Sequence, residues 1–175
     1  QRANARPAAA GVDVIVPVYK GLFDTQRCIT SALQSVNQTP MRVVIINDCS
    51  PDPEVTRWLR DIAQQDTRIT LLENEVNLGF VGTVNRGMSF GPSHDVVLLN
   101  SDTEVANDWL DRMRQAAYCD EHVGTVTPFS NNATICSYPK FCEENALPEG
   151  YDTARLDHLF AQANAGEVVD IPTGV

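Results

Sequence analysis

Short apolar runs and helically spaced apolar stripes alternate along most of this chain. Val12 to Val18, Val43 to Ile46, Ile69 to Leu72 and Val96 to Leu99 are runs of strand length. Each is bounded by turn or breaker residues, which predicts buried strands, and Val123 to Val126 predicts a fifth. After Asp24, a candidate N-cap, Cys28, Ile29, Ala32, Leu33 and Val36 recur at helical spacing. Pro53 opens a second helical segment with Val55, Trp58, Leu59 and Ile62 as its stripe. Phe80 to Met88 reads as a third helix despite Gly82 and Gly87. Asp108 to Tyr118 reads as a fourth, with Trp109, Leu110, Met113, Ala116 and Ala117 inward. Strands separated by helices of this length imply right-handed βαβ crossovers and a mostly parallel sheet flanked by helices in three layers.

The pattern breaks after Pro128. Residues 129–151 carry no periodicity, which predicts a long loop over the sheet edge. A helix over Thr153 to Ala163 follows, with Leu156, Leu159 and Phe160 inward. Val168 to Val175 then reads as the start of a strand, so the natural protein is expected to continue. Residues 1–11 are expected to form a linker tail and residues 12–175 one domain. No internal repeat or low-complexity segment is present.

With 175 residues and 43% hydrophobic content, the chain can bury a real core. Its net charge of −10 argues against binding a nucleic-acid backbone, which calls for a basic face. Acidity does not exclude a nucleotide, because a divalent cation offsets a diphosphate locally. Five cysteines without C-x-x-C spacing suit reduced thiols in an intracellular protein. Two N-glycosylation patterns, at Asn37 and Asn132, read as chance matches in that setting. No apolar run approaches the roughly 18 residues of a membrane span.

Two carboxylates follow apolar runs directly: Asp48 after Val43 to Ile46, and Asp102 after Val96 to Leu99. Strand ends of this kind point into the crevice where open α/β sheets bind ligands. Asn100-Ser101-Asp102-Thr103 is also good turn chemistry, so Asp102 has both a turn-forming and a hard-cation reading. Asp48 is expected to be free to accept a ligand N–H, because Asp52 better suits capping the helix at Pro53. Pro17 marks the exit of the first strand, and Tyr19 beside it could stack on a base. Gly79, in Asn77-Leu78-Gly79-Phe80, permits positive φ or close backbone approach at a helix start. Asn85 and Arg86 on that helix are candidates to reach a phosphate. His94, His122 and His158 show no metal spacing and read as loop or surface residues. Neither a Walker A sequence, a G-x-G-x-x-G fingerprint nor a G-x-S-x-G elbow occurs.

Four segments, in this order and spacing, resemble the family 2 glycosyltransferases of the GT-A fold, notably rhamnosyltransferase-like members. They are Val14 to Tyr19, Ile46 to Ser50, Asn74 to Phe80, and Leu98 to Thr103. The resemblance implies a bacterial enzyme of cell-envelope polysaccharide synthesis that transfers a sugar, with inversion, from a UDP- or dTDP-linked donor to a glycan or lipid-linked acceptor. It implies that Pro17, Tyr19, Asp48, Asn77, Gly79, Arg86 and Ser101 bind the nucleotide and that Asp102 holds Mg²⁺ or Mn²⁺. Asn100 replaces the first acid of the family's D-x-D motif. The catalytic base is expected beyond Val175, and neither Glu167 nor Asp170 is given that role. A cytoplasmic site is implied, with peripheral association at the inner membrane face and no nucleic-acid partner.

Two other functions fit parts of the sequence. A sugar-phosphate nucleotidylyltransferase shares a related sheet but needs a Gly-rich basic loop where this chain has Tyr19 to Phe23. A glycan- or protein-binding module on a degenerate transferase fold fits the missing first acid.

Overall fold

The computed structural model describes residues 9–91, 93–134, 136–164 and 166–169. They fall into two compact units, one of residues 9–34 and 38–105, the other of residues 35–37 and those from 106 onward. Of the expected tail, residues 1–8 lie outside the described residues. So do residues 170–175 of the expected last strand, whose Val168 and Val169 are irregular and exposed.

The first unit is built from β1 (Val12–Val18), α1 (Leu22–Gln34), β2 (Met41–Asn47), α2 (Pro53–Gln65), β3 (Ile69–Glu73), α3 (Gly79–Met88) and β4 (Asp95–Leu98). All strands run parallel, in the order β3-β2-β1-β4. The chain winds from β1 to β3 in one direction and returns past β1 to β4. With right-handed crossovers, that reversal puts α1 and α2 on one face of the sheet and α3 on the other. The three-layer arrangement expected from the sequence is therefore present.

Side chains alternate between the two faces. Ile15, Val44 and Ile46 form a buried cluster on one of them, with Leu72 packed beside it. Gly87 of α3 lies directly over this cluster: a Cβ there would sit 2.7 Å from Ile15 Cγ2 and 2.9 Å from Ile46 Cδ1. The glycine that weakens the helix as a local sequence thus lets it approach the sheet. Val14, Val16, Val43 and Ile45 fill the opposite face and are fully buried.

Some local expectations change. Asp24 lies within the first turn of α1 instead of capping it, because the helix already begins at Leu22. There its charge still favours the positive end of the helix dipole. Asp52 caps α2, its carboxylate accepting from Glu54 N–H at 2.9 Å. In β4, Val96 and Leu98 are exposed, although the run reads as fully buried. Among the described residues β4 pairs only with β1, and an apolar run does not distinguish an edge strand from a central one.

A polar cluster closes the amino end of the sheet. Asp13, 1% exposed, receives Arg42 Nε at 2.9 Å and Nη2 at 2.6 Å, with His94 Nδ1 at 2.8 Å. Gly91 leaves room for it, since a Cβ there would lie within 2.4 Å of both Asp13 and Arg42. His94, expected to be a loop or surface residue, is half-buried and belongs to this cluster. Burial pushes the Asp13 carboxyl up, but the bonds and charges of Arg42 and His94 outweigh that and hold it below the usual carboxylate range.

The second unit contains α4 (Trp109–Ala117) and α5 (Thr153–Asn164). Asp108 makes no capping bond to α4. Asn37 does so from a distance, its Oδ1 accepting from Leu110 N–H at 3.0 Å and Asp111 N–H at 3.3 Å. Arg112 and Asn107 both bind Asp157 of α5, at 2.5 and 2.7 Å. Trp109 and Leu110 are buried as expected, whereas Met113, Ala116 and Ala117 are half-buried. Leu159 and Phe160 are exposed, against expectation; Phe160 packs edge-on against Tyr138 at 5.2 Å. Residues 123–126 form no strand. Gly124 interrupts them, and only two of the four side chains are apolar. The expected loop over residues 129–151 is irregular, pinned by Asn145 Nδ2 donating to Ser137 Oγ at 2.9 Å and Asn131 O at 3.1 Å. All five cysteines are free. No helix among the described residues is long and apolar enough to cross a membrane.

Two stability measurements follow from this packing. Gly87→Ala should lower stability by about 1–3 kcal/mol in urea denaturation through overpacking. Helix propensity alone would instead raise it by roughly 1 kcal/mol. Asp13→Asn should cost about 3 kcal/mol, because it strands Arg42 against a buried site. The Asp13 carboxyl is depressed in the folded state, so its contribution is complete above the ordinary carboxylate pKa and disappears as pH falls through the lower folded value. Wild type should therefore lose stability on acidification, and Asp13→Asn should show a flatter acid limb.

Candidate donor-binding site

The strand order creates a switch point between β1 and β4, where loops leave the sheet in opposite directions and open a crevice at its carboxyl edge. A cleft of about 420 Å³ lies there within the first unit. It is lined by Pro17 to Lys20 after β1, Asp48 after β2, Asn77, Gly79, Phe80 and Thr83 at the start of α3, and Asn100 to Asp102 after β4. Three strand ends and one helix start thus converge on one concavity. Gly79 has φ +69°, and a Cβ there would meet nothing within 4 Å. The backbone conformation, not crowding, calls for glycine, and it leaves the peptide open to close approach.

Asp48 forms the floor of the cleft and is 4% exposed. Its N–H donates to Val18 O at 2.8 Å, tying β2 to β1. Its Oδ1 accepts from Asn74 Nδ2 at 2.6 Å and from Leu78 N–H at 2.8 Å. Burial raises the carboxyl pKa, but bonds from Leu78, Asn74, Thr83 and Gly79 together hold it below its ordinary value. Asp48 is therefore not the unengaged acceptor that the sequence suggests. Nothing in the linear sequence marks Asn74 and Thr83 as its partners, and they become its partners only when α3 folds back over the sheet.

Arg86 braces the same loop from outside. Its Nη1 donates to Glu73 O at 2.7 Å and to Asn74 Oδ1. It is not among the residues that line the cleft: its Nη1 is held by the Glu73 carbonyl and the Asn74 side chain. Asn77 does line the cleft, and its Oδ1 accepts from Gly79 N–H at 2.8 Å.

The Asn100 to Asp102 turn is fastened to α1. Cys28 Sγ donates to Asn100 O at 3.3 Å, Ser31 Oγ accepts from Val105 N–H at 3.1 Å, and Arg27 pairs with Glu104. Burial, with a smaller contribution from the Asp102 charge, pushes the Cys28 thiol up to about 12, so it stays a protonated donor. Asp102 itself is exposed to the cleft.

The family model for glycosyl transferase family 2 matches residues 13–153. The chain belongs to that family. An uncharacterized glycosyltransferase of Haemophilus influenzae is 26% identical over 112 residues, which cover 62% of this chain and 34% of that protein. The uncharacterized protein y4gI of Sinorhizobium fredii is 24% identical over 138 residues, 79% of this chain and 15% of its own length. The crystal structure of S. aureus TarS 1-349 aligns with a TM-score of 0.50 at 20% identity, covering 61% of this chain and 32% of that one. The chain thus spans about a third or less of the length of these relatives. The fold is GT-A, as expected from the four segments.

Within this member of the family, the cleft brings together Pro17, Tyr19, Asp48, Asn77, Gly79, Ser101 and Asp102. Lys20, Phe80 and Thr83 also line it, although the sequence alone singles out none of them. A divalent ion fits the residues present only with help from its ligand. Among the described residues no group of three or more His, Cys, Asp or Glu could hold a metal, and of the two cleft carboxylates Asp102 is the exposed one while Asp48 is buried. One carboxylate completed by phosphate and water oxygens suits Mg²⁺ or Mn²⁺.

Asp48→Ala should release the loop it anchors, since it removes the oxygen that accepts from both Leu78 N–H and Asn74 Nδ2. Hydrogen exchange at Leu78 and Gly79 should accelerate by an amount equivalent to about 1–3 kcal/mol, while the β1 amides change far less.

Proposed function

We propose that this chain forms the donor-binding part of an inverting glycosyltransferase that uses a UDP- or dTDP-linked sugar. The observation that carries this reading is the switch-point cleft with one exposed carboxylate, Asp102, together with the buried Asp48, which accepts from Asn74 and Leu78. In it, Tyr19 stacks on the nucleobase, Asp48 fixes the loop beneath base and ribose, and Asn77, Gly79 and Ser101 approach the diphosphate. Asp102 would hold Mg²⁺ or Mn²⁺, which would supply positive charge against the leaving group.

The transfer joins an acceptor hydroxyl oxygen to the anomeric carbon on the side opposite the diphosphate. As that bond forms, the anomeric carbon–oxygen bond to phosphate breaks, and its electron pair leaves on the diphosphate. The acceptor proton goes to a general base. Neither cleft carboxylate is assigned that task. Asp48 is held in its ionised form by four donors, and Asp102 is committed to the cation. A glycan or lipid-linked acceptor, a role in cell-envelope polysaccharide synthesis and work at the inner membrane face belong to the same proposal.

Calorimetric titration of UDP and dTDP, with and without Mn²⁺, tests it. Wild type should bind one of them more tightly with Mn²⁺, and Asp102→Ala should lose that metal-dependent increment. Equal affinity in the two proteins would remove Asp102 from the metal site.

A further inference from the structure

We infer that Lys20 is the protein's own cation for the donor diphosphate, a role that rests on the donor-cleft reading above. Lys20 stands two residues beyond the end of β1 and lines the cleft together with Asp102. It is the only basic residue among the cleft-lining residues. Other cations of the first unit are engaged elsewhere: Arg27 by Glu104, Arg42 by Asp13, Arg60 by Glu73 and Arg68 by Asp66. Arg86 is held by Glu73 O and Asn74, and Arg57 lies on a separate concavity along α2.

Lys20 is different. Among the described residues no carboxylate is ion-paired with its ammonium, which sits 5.2 Å from the centre of the Tyr19 ring. That contact is the kind a cation makes with an aromatic face, and it steers the side chain without neutralising it. An uncompensated cation in a cleft of a chain with net charge −10 gives that cleft an anion-accepting point. A cleft holding two carboxylates would otherwise repel a diphosphate.

When the anomeric carbon–oxygen bond breaks, its electron pair passes to the diphosphate, and the Lys20 ammonium is positioned to bind that growing charge. The same site should therefore discriminate a nucleoside diphosphate from its nucleoside.

The test compares UDP with uridine, and dTDP with thymidine, by calorimetry on wild type, Lys20→Gln and Lys20→Arg in the presence of Mn²⁺. Lys20→Gln should weaken the diphosphate by roughly 10- to 100-fold and change the nucleoside by less than about twofold. Lys20→Arg should keep most of the diphosphate preference. Lys20 is exposed, so unchanged thermal midpoints are expected for both variants. An unaltered diphosphate-to-nucleoside ratio in Lys20→Gln would overturn the assignment and leave the donor cleft standing. Failure of wild type to bind either nucleotide or nucleoside would overturn the donor-cleft reading, and the role of Lys20 with it.

Discussion

Strand β1 is paired on both edges and covered on both faces, and the rest of the first unit is arranged around that constraint. From Val14 to Val16 it has no exposed surface, so a polar group there would have nowhere to find a partner. Polar chemistry is forced to the strand's two ends. At the amino end the outcome is a closed ionic cluster around Asp13. At the carboxyl end, where β2 and β4 stop beside it, the outcome is an open cleft. One buried strand thus separates what stabilises the sheet from what faces a ligand.

Three aspartates show how environment divides one chemistry into three roles. Asp13 is surrounded by cationic and imidazole nitrogen and serves the fold. Asp48 accepts from the Asn74 amide and the Leu78 backbone N–H and shapes a loop. Asp102 is exposed and faces the cleft. Charge at a strand end does not by itself say which of these it will become. The donors that decide the matter come from elements far away in sequence, such as Asn74 and Thr83 for Asp48.

The distinction also explains how much could be read without a structure. Strands β1 to β4 and helices α1 to α4 lie close to where apolar runs and stripes put them, because burial on a parallel sheet leaves those patterns in the sequence. Asp102, Tyr19 and Gly79 were legible as cleft residues because they follow strands. The bond of Arg86 to the Glu73 carbonyl was not legible, because a solvent-facing helix position does not reveal the acceptor behind it. The Asp13, Arg42 and His94 cluster was missed for a related reason: its members are up to 81 residues apart and share no motif. Residues 123–126 and the stripe of α5 failed differently. Their apolar content is too sparse or too exposed for periodicity to fix a partner. Lys20 carried no signal beyond being a loop lysine, and its place in the cleft, with the other cations of the unit held or placed elsewhere, makes it stand out.

The fastening of α1 to the turn after β4 has a dynamic consequence. Cys28, Ser31 and Arg27 reach that turn from three points along a single face of the helix, 77 residues or fewer away in sequence. The turn cannot pivot alone without breaking a buried thiol contact and a backbone bond. Because Cys28, Ile29 and Ala32 of that helix have no exposed surface, the turn that bears Asp102 is tied to the core through α1. The rigidity of the buried helix is in this way extended to the acidic turn at the mouth of the cleft.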